Sequence, residues 1–366
     1  VKRRIVHVVP TLGRGGAEKQ LVLLAQHLPR DEFDVHVCAI SQSGELAGEL
    51  ERSGIPVTVI GKHFKFDPLS WMRLRRYLRE LKPDLAQTWM FTANAYGRAA
   101  AISAGVPKIV ASERCVDSWK APYQLAIDRR LARRTDAIIV NSRGVQDFYA
   151  ENGIPPDKLR LIHNGISPDC DRSLGRAELL AKFELPENAR LMGAVGRLWP
   201  QKRVKDLIWA TDLLKVVHDN THLLIIGDGP QRKDLERFRE HINIEDKVRF
   251  LGARNDVPRL MPHFDLLLLA SSFEGLSNAI MEAMVCAVPV VATDIPGNRE
   301  LVVHGQTGFL VQVGDRAGLA RCAYKILEDP ELGRRLGEAG CQRVVSQFSI
   351  ETMVQKHVAL YRELLG

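Results

Sequence analysis

Short runs of apolar, largely β-branched residues recur along the whole chain, separated by longer stretches in which apolar positions return every three or four residues. The first rhythm suits strands buried on both faces and the second suits helices lying across them, so the pattern predicts repeated βα units and parallel sheets. Seven candidate strands fall in the first half: RIVHVVP, FDVHVCAI, VTVI, DLAQTW, KIVAS, DAIIVNS and LRLIHNG. Six follow in the second: LMGAVGRL, HLLIIGDG, KVRFLG, DLLLLASS, VPVVATD and TGFLV. Between them NGISPDCDRS, rich in Gly, Pro and Asp, reads as a linker near residues 164–173. The expected fold class is therefore α/β, with two doubly wound domains at 1–166 and 167–346. The closing stretch FSIETMVQKHVALYRELLG predicts a capped amphipathic helix over 347–366 with no strand after it. Open sheets of this kind bind ligands beyond the carboxyl ends of their strands. Two such sheets facing each other would form a cleft, and the strand-exit loops are where chemistry is expected.

Composition narrows the class. A chain of 366 residues with 45% hydrophobic and 26% charged residues has a soluble, two-domain composition. No run approaches the ~18–20 apolar residues of a membrane span. The opening VKRRIVHVVP is a basic lead into a strand, too short for a signal peptide, so a cytoplasmic location is expected. Six cysteines, at 38, 115, 170, 286, 322 and 341, show no metal or disulfide spacing and read as reduced, mostly buried thiols.

Charge is uneven: residues 1–165 hold 25 Lys and Arg against 17 Asp and Glu, the remainder 26 against 27. A basic first half suits an anionic partner such as a membrane surface, a phosphate-rich acceptor or a nucleic acid. KHFKFDPLSWMRLRRYLRELK, with cations among aromatic and aliphatic residues, fits an interfacial helix on anionic lipid. The plainer alternative is a βα helix with Trp71, Leu74 and Leu78 in the core. No aromatic-interleaved basic ladder is present, so nucleic acid is not expected as a partner.

Three strand-exit loops carry candidate chemistry. After the first strand, Gly15 and Gly16 of GRGGAE allow close backbone approach to an anion at a helix N-terminus. A dinucleotide fingerprint would need a third glycine where Glu18 stands. In AVGRLWPQK, Arg197 and Lys202 lie five apart just past a strand, a pair suited to a diphosphate. In SSFEGLSNAIMEAM, Ser277 or Asn278 caps a helix, and the amides of Gly275, Leu276 and Ser277 are ready for negative charge. Glu274 could accept hydrogen bonds from sugar hydroxyls, and Glu282 could bridge a cis-diol such as a ribose. A lone solvent-facing acid is the default for Glu282, but Ala279, Ile280, Met281, Ala283 and Met284 around it make this a largely buried helix.

These segments resemble the retaining glycosyltransferases of family 4, group 1, and the resemblance spans essentially the whole chain. It rests on GRGGAE, GRLWPQK, NSRGV, HNGI and GDGP, and above all on FEGLSNAIMEAM followed by PVVATDIPGNRELV and GQTGFLV. It implies the GT-B fold, two facing Rossmann-like domains with an interdomain cleft: an acceptor-binding first domain, a nucleotide-sugar-binding second, and a last helix that crosses back to the first. By resemblance, Arg197 and Lys202 match the diphosphate pair, Glu282 the ribose acid and Glu274 the acid at the transferred sugar, with Arg197, Lys202 and Glu274 carrying catalysis. The backbone at Arg254 and Asn255 would meet the base. No metal and no other cofactor is expected. The implied reaction moves a sugar, with retention, from a nucleotide-diphosphate sugar to a glycan or lipid-linked acceptor in cell-surface polysaccharide or glycolipid synthesis. One departure stands out: QTWMFTANAYGR has Thr92 where many relatives carry a histidine, so Asn94, or Glu113 and Arg114 of VASERC, or the substrate phosphate are its candidate replacements. The alternatives are a nucleotide-sugar epimerase of the same architecture and a non-catalytic nucleotide-sugar-binding protein.

Overall fold

Every one of the thirteen apolar runs forms a strand in the computed structural model, which describes residues 2–64 and 67–366. Seven strands make one sheet: β1 (Arg3–Thr11), β2 (Phe33–Gln42), β3 (Val57–Val59), β4 (Leu85–Trp89), β5 (Lys108–Glu113), β6 (Ala137–Val140) and β7 (Leu159–Leu161), in the order β3-β2-β1-β4-β5-β6-β7. Six make another: β8 (Arg190–Val195), β9 (Thr221–Ile226), β10 (Val248–Gly252), β11 (Leu266–Leu269), β12 (Val290–Thr293) and β13 (Phe309–Val311), in the order β10-β9-β8-β11-β12-β13. All pairings are parallel. Parallel strands need helical crossovers, and these cover both faces. In β1, Ile5 and Val9 join one core and Val6 and Val8 another, as the two-residue alternation of a strand requires.

The chain divides into two compact units, one ending at Gly165 and taking back Ile350–Gly366, the other Ile166–Ser349. In the first unit, helix Ile350–Leu365 packs Met353, Val358 and Tyr361 into the core shared by β1, β2 and helix Gly16–His27. The buried Tyr361 hydroxyl donates to Gln87 Oε1, and Gln87 Nε2 donates to Ser112 Oγ at 2.8 Å, so the polar groups taken inside are paired. In each unit the order of strands reverses direction beside the first strand, between β1 and β4 and between β8 and β11. Loops leaving those strands diverge and leave a crevice at the switch point. This topology decides where the second unit presents its chemistry.

The cysteine reading needs correction. Cys170 and Cys286 form a disulfide with Cα atoms 5.2 Å apart, and of the four free thiols only Cys38 is buried, with Cys115, Cys322 and Cys341 half-exposed. A separation of 116 residues hides the pair from any spacing rule. The unreduced, denatured chain is predicted to titrate four thiols and the reduced chain six. Cutting the bridge should lower stability by ~2–4 kcal/mol, read from denaturation midpoints; six thiols without reductant would refute the bridge.

Candidate active site

The exit of β8 turns sharply. Leu198 N–H donates to Asp228 O at 2.9 Å, and Gln231 N–H donates to Leu198 O at 3.1 Å, which anchors the loop to the exit of β9. A single 3₁₀ turn, Pro200–Lys202, follows, and Arg203 takes a left-handed conformation with φ 48° before helix Val204–Lys215. The non-glycine left-handed residue is held in place by its side chain. Arg203 Nε donates to Asp206 Oδ2 at 2.6 Å, and Arg316 Nε donates to the other oxygen at 2.8 Å, with Asp206 buried.

The exit of β11 meets this turn. Ser272 N–H donates to Gln201 O at 2.8 Å, and the Lys202 ammonium forms a close ion pair with Glu274. Residues 72 apart in sequence thus meet at the switch point of the second sheet. Arg197 remains exposed, its guanidinium over the Trp199 ring at 5.7 Å. Ser277 caps helix Asn278–Val285, its hydroxyl accepting from Ile280 N–H at 3.5 Å. Ile280, Met281, Ala283, Met284 and Val285 bury most of the helix while Glu282 stays half-exposed. Behind the loop, helix Pro296–Leu301 begins so close that a Cβ on Gly297 would overlap the Gly275 carbonyl oxygen. Thr293 Oγ1 donates to Ser271 O at 2.6 Å, tying the exit of β12 to that of β11.

Two other predicted donor positions sit after β10. The Arg254 side chain is already committed: it forks onto Asp256 at 2.7 and 2.6 Å and lies over the Phe183 ring. Asp256 is held down to about 2, chiefly by the Arg254 hydrogen bonds and also by Lys182. Asn255 is exposed, so only backbone and Asn255 remain available there.

In the first unit, Gly15 and Gly16 open helix Gly16–His27 as expected, but the Glu18 carboxylate folds over Gly15 and occupies the space a Cβ would need. That helix end therefore carries a carboxylate of its own. Thr92 lies in the first turn of helix Met90–Ala104, half-buried. Two acceptor-side candidates are withdrawn into the fold. Asn94 is fully buried, accepting from Thr88 Oγ1 at 2.6 Å and donating to Ser112 O at 3.0 Å, so it stitches β4 to β5. Glu113 points into a buried charge cluster. Arg114 is different: its guanidinium lies over the Trp89 ring at 5.1 Å and bonds the Asn164 side chain, but Nε and Nη1 are buried with no acceptor. Burial pulls its pKa down to about 9. Unpaired buried donors of this kind are costly and suit an anionic ligand.

The cluster around Glu113 was not foreseen. Lys120 Nζ lies 2.9 Å from Asp128, 3.2 Å from Asp117 and 3.6 Å from Glu113, and Arg98 bonds Asp128 at 2.6 Å. Tyr149 OH donates to Asp117 at 2.8 Å. Burial works against the Lys120 ammonium, yet Glu113, Asp117 and Asp128 hold its pKa above the usual lysine range. Burial pushes Glu113 up to about 7, opposed by Lys120 and helped by Asp128 and Asp117. Between pH 4.5 and about 7 the folded chain keeps a proton on Glu113 that the unfolded chain has lost. Its contribution to stability therefore declines as pH rises through that window. Glu113→Gln should remove this slope, seen as a smaller loss of the urea midpoint across the window than in the parent; parallel profiles would count against it. His7 and His357, buried in the same unit, are pulled down to about 3 by burial and stay neutral throughout.

Of the basic aromatic segment, Lys65 and Phe66 lie outside the described residues. Leu74 and Leu78 are core residues and Trp71 packs beside them, as the plainer alternative holds; Phe64, Leu69 and Met72 remain exposed. Among the described residues no helix is long and apolar enough to cross a membrane.

Sheet order, switch-point geometry and the Glu-x7-Glu loop define a nucleotide-sugar transferase of the GT-B fold, and comparison with known proteins agrees. Residues 175–343 match the glycosyl transferases group 1 and residues 14–169 match Glycosyltransferase Family 4; the chain belongs to this family. One relative, the UDP-Gal:alpha-D-GlcNAc-diphosphoundecaprenol alpha-1,3-galactosyltransferase of Escherichia coli, is 26% identical over 393 residues, 100% of this chain and 98% of its own. Another, the N-acetyl-alpha-D-glucosaminyl L-malate synthase of Bacillus anthracis, is 32% identical over 233 residues, with the match spanning 63% of this chain and 61% of that relative. The crystal structure of Anabaena Alr3699/HepE in complex with UDP-glucose superposes with a TM-score of 0.89 at 26% identity, covering 98% of this chain and 99% of that one. These relatives do not favour the epimerase or the non-catalytic reading.

Proposed function

We propose that the chain transfers a hexose, with retention and without a metal, from a UDP-sugar to a lipid-linked acceptor in the synthesis of a cell-surface glycan, on the cytoplasmic side of a membrane. The observation that carries this reading is the meeting of Lys202 with Glu274, and of their loops, at the switch point of the second sheet. UDP as the nucleotide is supported by the Alr3699/HepE complex, and a lipid diphosphate acceptor by the galactosyltransferase of Escherichia coli.

In this reading Arg197 and Lys202 take the diphosphate, Glu282 the ribose, Glu274 and the amides of Gly275, Leu276 and Ser277 the transferred sugar, and the backbone at Arg254 and Asn255 the base. Without donor, Lys202 and Glu274 neutralise each other, which spares either one an unpaired charge at a half-buried site. With donor, Lys202 turns to phosphate and Glu274 is released to accept sugar hydroxyls. The bond from anomeric carbon to diphosphate oxygen breaks, and Arg197 and Lys202 meet the charge that grows on the leaving group, stabilising the transition state more than the ground state. The acceptor oxygen bonds to the same face, and its proton passes to the leaving β-phosphate. On the acceptor side, Arg114 with its two unpaired donors is the residue best fitted to an acceptor phosphate, and Thr92 stands at the neighbouring strand exit.

The test is product analysis with UDP-sugar and a lipid diphosphate acceptor. The anomeric configuration should be that of the donor, and turnover should survive a chelator in excess over divalent metal. An inverted product, or activity abolished by chelation and restored by metal, would overturn the mechanism.

A further inference from the structure

Three of the six cysteines gather at one end of one helix. Helix Asn278–Val285 begins at the Ser277 cap, beside the loop that holds Glu274, and stops at Cys286, whose neighbour Ala287 is left-handed with φ 56°. Its eight residues span roughly 12 Å at 1.5 Å per residue, so what fixes one end bears on the other. Cys286 closes the far end and is bridged to Cys170, which lies in the segment by which the chain enters the second unit after Gly165. The bridge ties that entering segment to the helix that bears Glu282.

A third sulfur stands beside the bridge. Helix Pro330–Gln347 lies along helix Asn278–Val285 so closely that a Cβ on Gly337 would overlap the Ala287 carbonyl oxygen, and one on Gly340 would stand 3.3 Å from Met284 Cγ. From the next position the Cys341 thiol donates to the Val285 carbonyl oxygen at 3.4 Å. The residue four on from Val285 is Pro289, which has no N–H, so this carbonyl at the helix end is open to a side-chain donor. A carbonyl oxygen is about 2.8 Å from the following Cα in a trans peptide, which puts the Cys341 sulfur within roughly 6 Å of the Cys286 Cα. Disulfide-joined Cα atoms are themselves about 4.4–6.8 Å apart. Cys341 and Cys170 are half-exposed and Cys286 is buried, so a thiol on each side of Cys286 meets water.

We propose that Cys170, Cys286 and Cys341 form a thiol–disulfide exchange site in which Cys286 bridges to either neighbour, the choice setting how helix Asn278–Val285 is tethered. The Cys341 thiolate, its proton given to water, attacks the Cys286 sulfur. The Cys286–Cys341 bond forms as the Cys170–Cys286 bond breaks, and Cys170 leaves as a thiolate that takes a proton from water, so no oxidant is consumed. An external dithiol converts either bridge to two thiols and is itself oxidised to a disulfide. The Cys286–Cys341 form locks the two helices together and frees the entering segment. On the cytoplasmic side named in the proposed function, disulfides are mostly transient and redox-sensing; the proposal takes its purpose from that reading, but its test uses neither donor nor acceptor.

The experiment is acid-quenched digestion of the full chain with mass mapping of linked peptides. The parent should yield two pairs, Cys170–Cys286 and Cys286–Cys341. Cys170→Ser, reduced and then exposed to oxidised glutathione, should form Cys286–Cys341. Cys341→Ser should hold Cys170–Cys286 alone, and Cys286→Ser should form neither pair. Hydrogen exchange of the amides of residues 271–282 reads the effect on the helix: it should be at least ~threefold faster in the fully reduced parent than in the bridged one, and in Cys286→Ser it should not respond to reduction. Far-UV circular dichroism checks folding, and the parent's own pairs decide the matter if a variant does not fold. Cys170–Cys286 as the sole pair in the parent, a folded Cys170→Ser chain that forms no bridge, a Cys170–Cys341 link, or equal exchange rates in the reduced and bridged parent would each overturn the proposal.

Discussion

Lys202→Ala should lower turnover by ~10²–10³-fold, in the range seen when one preorganised donor to a developing negative charge is removed. The residue stands at the end of a 3₁₀ turn that is fixed from both sides, by the Ser272–Gln201 backbone bond and by Arg203 clamped, together with Arg316, on Asp206. Its position is therefore built into the fold and does not have to be found during catalysis. The substitution also leaves Glu274 without its cation at a half-buried site, so Lys202→Ala with Glu274→Gln should be more stable than the single variant while remaining as slow. Steady-state kinetics with chemical denaturation of both variants checks the pair. Turnover within threefold of the parent would remove Lys202 from the chemistry.

Gly297→Ala should be nearly as damaging, although position 297 carries no functional group. The added methyl would overlap the Gly275 carbonyl oxygen, which forces apart the start of helix Pro296–Leu301 and the loop that holds Glu274 and the amides to Ser277. A displacement of ~1 Å at a reacting centre costs on the order of 10²-fold. The expected result is a loss of kcat/KM of that order with the global unfolding transition largely retained. Kinetics alongside circular dichroism would show it, and normal kinetics would mean that the loop can yield without harm.

The fold was readily legible because its signal is local and repeated. Each strand is a short apolar run, largely buried in the central strands and only partly in β3, β7, β10 and β13 at the sheet ends, and each crossover is an amphipathic stretch, so thirteen short segments could be placed without knowledge of their partners. The loop from Glu274 to Glu282 was legible for a related reason: an N-cap serine, small residues and two acids lie within one stretch of sequence. What escaped was information held between distant segments. Cys170 and Cys286 are 116 residues apart. Lys120 and Asp128 belong to no motif, and only the closing of β5, helix Pro122–Ala132 and helix Arg143–Glu151 brings them together. Glu113 ends β5 and Asn94 lies in the helix that follows β4, but both side chains turn inward, a direction that sequence does not reveal.

In the proposed function the second unit binds a nucleoside diphosphate through Arg197 and Lys202. Thermal unfolding of the parent, of Arg197→Ala and of Lys202→Ala, each with and without UDP, tests it most directly. At 100 times its dissociation constant UDP should stabilise the parent by ~2.7 kcal/mol, and at the same concentration both variants should show little or no shift. Equal stabilisation of all three proteins by UDP would contradict the assignment of these two cations to the diphosphate.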